Sequence, residues 1–391
     1  MDKWVCRSQC NNVNFLYIYN INSIRLTESK SFMKRIISFG ILLILVLGCT
    51  KESNFQKTNT NPNIIALKTD VIDAEYSKSK ELLVYISSNP STLTVFNVNS
   101  EKTESIPLNY IPTCISISQD GETAVVGHDG HITYVNLTTK TLINSYAISC
   151  NALDIVLGNN KWAYIFPKEG QWTYIRSVNM NLNYDNEGKR SIYNQIFSGT
   201  MGRLHPSGNY IYTANGLSST EIQKFYIQNG DIDDMIQNRL QRNYSILPNI
   251  WFSEDGHRIF TDQKLALKTS GIPSLDMAYN GTIDPDTNSY IKWLDFSTIK
   301  NNIYLITYVG DFWTQKTDPY ISIYDASNLV FTNKIQLENT FIADNKGGGT
   351  SYNSEPYFVF SNSSGNSLYT LTKAVSSDMI IEWAIQKIAI N

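Results

Sequence analysis

The chain has 391 residues, 32 basic against 35 acidic for a formal charge of −3, and 12% aromatic residues with 24 Tyr. A nucleic-acid binder carries a basic footprint, and no such basic run occurs here, which speaks against a nucleic-acid partner. Tyr, Ile and Thr favour strands and the plentiful Asn, Ser and Gly favour turns, so the composition points to an all-β protein.

Residues 1–32 show no clear period and hold Cys6 and Cys10. They precede "MKRIISFGILLILVLGCTKESN", which begins at Met33. Lys34 and Arg35 open this stretch, Ile36 to Gly48 follows as 13 residues with only Ser38 polar, and Cys49 closes it. A membrane-spanning helix needs about 20 apolar residues. Thirteen suits the apolar core of a secretory signal instead. Basic pair, apolar run, Gly48-Cys49 and polar tether together resemble the bacterial lipobox, with Leu47 standing where that family usually has a smaller residue. The resemblance implies a start at Met33, with residues 1–32 a misassigned, disordered leader. It also implies a signal peptide over 33–48, diacylglycerol on Cys49 and a polar tether over 49–62. The mature chain would then have 391 − 48 = 343 residues. One acyl chain binds a bilayer only marginally, at about 0.8 kcal/mol per buried CH₂, whereas the two or three of a lipoprotein hold it there. Thr50, rather than Asp, implies the outer membrane over the inner by likeness to proteobacterial sorting, and Lys51-Glu52 resembles surface export in other lineages. The competing reading of this run is an uncleaved anchor helix or a buried core helix.

From residue 63 onward a unit repeats. Cys114 to Ile148, "CISISQDGETAVVGHDGHITYVNLTTKTLINSYAI", divides into strand, Asp-Gly turn, strand, Asp-Gly turn, strand, polar turn, strand. Ile115 and Ile117 alternate with Ser116 and Ser118, as in a half-buried strand, and Asp-Gly marks a hairpin. Four short antiparallel strands in about 35–45 residues make a propeller blade. Similar units start at Ala74, Leu153, Gly202, Asn249, Trp293 and Pro356, and their first turns centre on Ser79, Asp120, Asn159, Ser207, Asp255, Lys300 and Ser364. The intervals are 41, 39, 48, 48, 45 and 64 residues, the last absorbing an insertion.

Such turns need a residue tolerant of positive φ. Gly121, Gly208, Gly256 and Gly365 supply it in four units and Asn160 and Asn301 in two; Ser79-Lys80 lacks it. One first-strand position reads Tyr76, Ile117, Val156, Leu204, Phe252, Phe296, Phe360, all apolar. Its neighbour reads Glu75, Ser116, Ile155, Arg203, Trp251, Asp295, Val359, a mixture. Successive strand residues face opposite sides, so one side packs and the other tolerates polar contact. The expected fold is an all-β, seven-bladed β-propeller of four-stranded antiparallel blades over residues 63–391. A six-bladed or irregular ring is the alternative, because no third strand is evident after Gln263. An open last blade would leave an exposed edge; the apolar Asn63–Leu67 is expected to close the ring as its outer strand.

The units resemble the YVTN branch of the WD40/YVTN propeller superfamily. The likeness lies in the turn glycine followed by a strand such as Tyr210–Asn215. Strands ending in polar turns, Phe96–Ser100 and Ile323–Ser327, complete it, over residues 64–390. It implies a fold far more than a function.

Candidate chemistry is sparse. Propeller ligands commonly sit at the channel mouth, so Glu75, Arg203, Trp251 and Asp295 are candidates for a polar ligand or sugar ring. The alternative is that these charges pair with one another or with water. His128 and His131 in "GHDGH" read as exposed turn residues, since a zinc site needs three or four ligands. Asp284, Asp286 and Asn288 in "DPDTN" have the alternate spacing of a calcium loop but lack the Gly and distal Glu of an EF-hand. A solvated loop or calcium are the two readings there, and no other cofactor is expected. "DNKGGGTSYNSEP", Asp344 to Pro356, reads as a flexible loop or a lid. Cys114 and Cys150 could pair or stay free, because spacing alone does not decide geometry. No GxSxG, Walker or GxGxxG pattern occurs, and His205 reads as structural. The expected function is a membrane-anchored scaffold of the cell envelope, bound to the membrane through its lipid and binding a protein or glycan partner. The alternative is a propeller hydrolase or oxidoreductase of lactonase or quinoprotein type, although no catalytic residue of either is matched.

Overall fold

The computed structural model describes residues 61–391, except 171, 190–193, 216–220, 229, 231, 233, 237–247, 285–287, 311–314, 344–347, 376–381 and 391. All of it lies within one compact unit, Gln56–Asn391. The signal, lipobox and tether up to residue 60 lie outside the described residues. Among the described residues there is no α-helix, and no helix long and apolar enough to cross a membrane.

The chain forms a β-propeller of antiparallel sheets. The strands fall into six sheets of four or five strands and one of two. Counted as sheets, this favours the six-bladed alternative over the seven units expected. The reason lies in two long elements. Thr123–Asn136 folds back on itself, with Leu137 N donating to Glu122 O. Thr141–Leu157 then pairs with it through its first half and with Trp162–Pro167 through its second. The Cys114 and Leu153 units are thereby merged into one five-stranded sheet.

The ends of the ring meet as expected. Ile64–Ala66 pairs antiparallel with Glu382–Ala389, Ile65 opposite Ile385, and forms the outer strand of the last sheet. The fifth unit has all four strands: Leu265–Lys268 and Tyr279–Thr282 are its third and fourth, paired with a register shift between Leu265 and Leu267. At four residues each, they are too short to show a period. The insertion before the last unit is not a loose loop. Thr340–Ala343 pairs with the start of the 13-residue Gly349–Ser361, making a hairpin whose turn lies outside the described residues.

Among the described residues the buried apolar side chains gather into seven clusters, each between successive units. One joins Ala74, Leu83 and Phe96 of the first unit to Phe360, Tyr369 and Leu371 of the last. Each fully buried side chain of this size contributes roughly 1.5–3 kcal/mol, so the ring is held by faces that pack blade on blade. Cys114 and Cys150 are both free and belong to one such cluster. Burial pushes the Cys150 thiol up to about 12.

In antiparallel blades, connections after the first and third strands lie on one face and the others on the opposite face. The first is called the turn face here, the second the loop face. Gly121, Gly208, Gly256 and Gly365 have φ of 71°, 75°, 72° and 67°, as turn chemistry requires. The three units without this glycine place the left-handed residue directly before the second strand, at Glu81, Lys161 and Asn301. Asn301 was expected in that role; Lys161 takes the one expected of Asn160.

Candidate functional site

The innermost strands surround a central channel with two chambers. The larger, about 490 Å³, lies on the turn face; the smaller, about 260 Å³, lies toward the loop face. Arg203 and Trp293 border both. The four sequence candidates, Glu75, Arg203, Trp251 and Asp295, all line the larger chamber.

Their roles differ from the expectation in one respect. The two faces of a blade point at its neighbours, not at the axis, so the mixed positions reach the next blade. Glu75 Oε2 accepts from Ile117 N at 2.8 Å, Asp295 Oδ2 from Ser361 N at 2.8 Å, and Ser116 Oγ from Leu157 N at 3.0 Å. Asp73 and Asp154, not singled out in the sequence, act alike: Asp73 Oδ2 accepts from Ile115 N at 3.0 Å and Asp154 Oδ2 from Gly202 N at 2.8 Å. These carboxylates are clasps between blades. The signal was present in Asp73, which shares a strand face with Glu75 by the period of two.

Arg203 Nη1 lies 3.2 Å from Asp154 Oδ2 and donates to Gly202 O at 2.9 Å. Burial raises the Asp154 carboxyl, and Arg203 opposes the rise. Burial lifts Asp73 to about 6 and Glu75 to about 8, against the bonds from Ile115 and Ile117. Glu75 therefore holds its proton through neutral pH. Lys78, missed in the sequence, reaches across the chamber from the first unit. Its Nζ donates to Phe296 O at 2.7 Å and Ser361 Oγ at 3.0 Å, and pairs with Glu254 and, at 3.4 Å, with Asp295. Burial depresses the Lys78 ammonium, but Asp295 and Glu254 outweigh it and leave it raised.

Trp251 and Trp293 form a T-shaped pair with centroids 6.1 Å apart. Neither buried indole N–H has a hydrogen-bond partner among the described residues. Trp293 was not singled out in the sequence, although it lies two residues before Asp295 in one strand.

Elsewhere the structure corrects one reading and leaves another open. His128 is not an exposed turn residue: it is fully buried, with Nδ1 3.1 Å from Ile111 O and Nε2 2.9 Å from Thr133 Oγ1. A histidine with both nitrogens satisfied by the fold is a structural part. His205 is structural as expected, its Nε2 donating to Gly256 O at 2.9 Å. Of the calcium-loop candidates, Asp286 lies outside the described residues, between Asp284 and Asn288. Among the described residues no group of three or more His, Cys, Asp or Glu is placed to hold a metal ion.

No protein-family model matches the chain. No curated protein matches it either. Solved structures do. The β-propeller domain of Myceliophteria thermophila Cps50 (Swd1) aligns with a TM-score of 0.59 at 9% identity, over 86% of this chain and 100% of that one. Kuenenia stuttgartiensis hydrazine synthase aligns with a TM-score of 0.51 at 14% identity, over 83% and 97%. Likeness at such identities shows the propeller fold alone.

Proposed function

We propose that the protein is a binding scaffold of the cell envelope: a seven-bladed propeller, lipid-anchored at Cys49, that presents one face to a protein or glycan partner. The fold is consistent with an interaction scaffold. Exposed aromatic side chains on the loop face carry the reading. Tyr110 is 39% exposed and stacks on His131 at 4.1 Å; Trp172 is 57% exposed and packs on Phe197 at 3.8 Å; Phe341 is 37% exposed. Ile111, on a connection, and Val309 and Val375, at strand ends, are also exposed on the same face. Aromatic anchors are enriched at interfaces. The turn face carries exposed Ile272, Leu275, Ile299 and Val330, with Tyr184 on a connection and Tyr279 and Phe331 opening strands that leave that face, but no exposed Trp among the described residues.

Two observations support a count of seven. The seven inter-unit clusters close on themselves. The turns are linked around the ring, from Ser79 to Asp120 through to Glu81 to Ser363 N, which joins the first unit to the last. The outer strand Ile64–Ala66 is entered from the turn face.

Mass spectrometry of the envelope form is expected to find diacylglyceryl-Cys49 as the first residue. Unmodified peptides from residues 1–48 in the mature protein would overturn the anchor. Probing glycan and envelope-protein arrays with wild type and with Trp172→Ala should show a partner lost in the variant. Equal binding by both would remove the loop face from the account.

A further inference from the structure

We infer that the larger chamber is a binding site for an uncharged carbohydrate of mono- or disaccharide size. This deepens the scaffold reading and rests on it. At about 490 Å³ the chamber falls within the range of small-molecule sites, and its polar groups are left in an unusual state.

The charges there are already matched. Lys78 is paired with Glu254 and Asp295, Arg203 with Asp154, and Glu75 keeps its proton. An anion would meet the carboxylates of Asp295 and Glu254, and a cation would compete with Lys78 and Arg203. What remains is neutral hydrogen-bonding capacity. Among the described residues the hydrogen bonds of Arg203 all leave from Nη1, so its Nε and Nη2 have no protein acceptor and remain available to a ligand. Two indole N–H groups are equally unused, and Trp251 is only 7% exposed. A buried donor without an acceptor costs about 1–3 kcal/mol, and a ligand that supplies acceptors recovers part of it. Protonated Glu75 both donates and accepts. A sugar hydroxyl does the same, and the apolar face of a sugar ring packs on an indole, a side chain that offers an apolar body with a polar edge. A neutral sugar thus suits the T-shaped tryptophan pair, the outward guanidinium edge and the carboxylic acid of this chamber. The indole nitrogens are shielded, so binding turns the rings toward the chamber, and the tryptophan emission follows.

The test titrates the mature full chain with glucose, N-acetylglucosamine, maltose and cellobiose, and with glucosamine and glucuronate as charged counterparts. It follows tryptophan fluorescence and calorimetry. At least one neutral sugar should bind saturably and shift the emission. The Trp251→Phe/Trp293→Phe variant keeps an aromatic ring at each position but loses the N–H donors; measured by calorimetry well below its own unfolding midpoint, it should bind ~10-fold more weakly. Arg203→Lys, which retains the charge beside Asp154 but not the planar edge, should weaken binding as well. Absence of saturable binding by every neutral sugar overturns the inference. So does stronger binding of glucosamine or glucuronate, or undiminished affinity in the tryptophan variant. Failure here with the Trp172-dependent partner intact would leave the scaffold reading standing. Sugar binding with no loop-face partner would do the reverse.

Discussion

The turn face and the loop face are built from the same repeating units, yet they obey different rules. On the turn face the residues repeat: a left-handed residue in each of the seven first turns, and contacts that run from each turn to the next. A Cβ on Gly121 would meet Ser77 Oγ at 2.1 Å, and one on Gly208 would meet Asn159 Nδ2 at 2.3 Å. On the loop face the connections differ in length and character, from the tight return at Asp129-Gly130 to the hairpin of Thr340–Ala343. The difference teaches where sequence freedom lies. One face is committed to holding the ring, and the other is left to vary, as loops on a rigid scaffold generally do.

The largest expected effect comes from the committed side. Asp154→Ala removes the clasp on Gly202 N and strands the Arg203 guanidinium, and should cost about 3–5 kcal/mol in denaturant unfolding. A loss under 1 kcal/mol would mean that the clasps do not hold the blades. Gly121→Ala forces a side chain into a left-handed turn and against Ser77; about 2–3 kcal/mol is expected by the same measurement. Trp172→Ala, on the loop face, should change stability by less than about 0.5 kcal/mol while weakening the partner. Equal costs on both faces would erase the contrast.

A pH series sharpens the same contrast. Glu75 binds its proton up to about 8 in the folded chain, against 4.5 for the free group. The folded state therefore holds more protons between those values, and stability falls as pH rises through that window, then levels. Asp73, raised to about 6, adds to the fall over the lower part. Glu75→Gln keeps an acceptor for Ile117 N but cannot ionise. Its unfolding free energy should decline less between pH 5 and 8.5, by roughly 1–2 kcal/mol. A slope identical to wild type would place the ionisation elsewhere. The loop-face variant should keep the wild-type slope.

This division also explains what was legible in the sequence. The glycine turns were, because positive φ is a local demand that one residue type meets. The inner-strand positions were, because Val156, Phe296 and Phe360 are buried as their alternation implies. The closing strand was legible from an apolar run beside a last unit that lacked its fourth strand. The purpose of Glu75 and Asp295 was not. Alternation reports which side of a strand a residue occupies, but not whether that side meets an axis or a neighbouring blade. His128 misled for a similar reason: a turn signal says nothing of what packs over the turn, here Tyr110 with its ring 5.6 Å away. Lys78 and Trp293 were hidden because their partners lie in other units, some 176 residues away in the case of Glu254.

Hydrogen exchange at single amides tests the central claim most directly. The amides of Ile115, Ile117, Leu157, Gly202 and Ser361 donate to side chains of the preceding blade. If those side chains hold the ring, these amides exchange only through global unfolding, and amides around Tyr110 and Trp172 exchange far sooner. Exchange of the five at the rate of the loop-face amides would contradict the account.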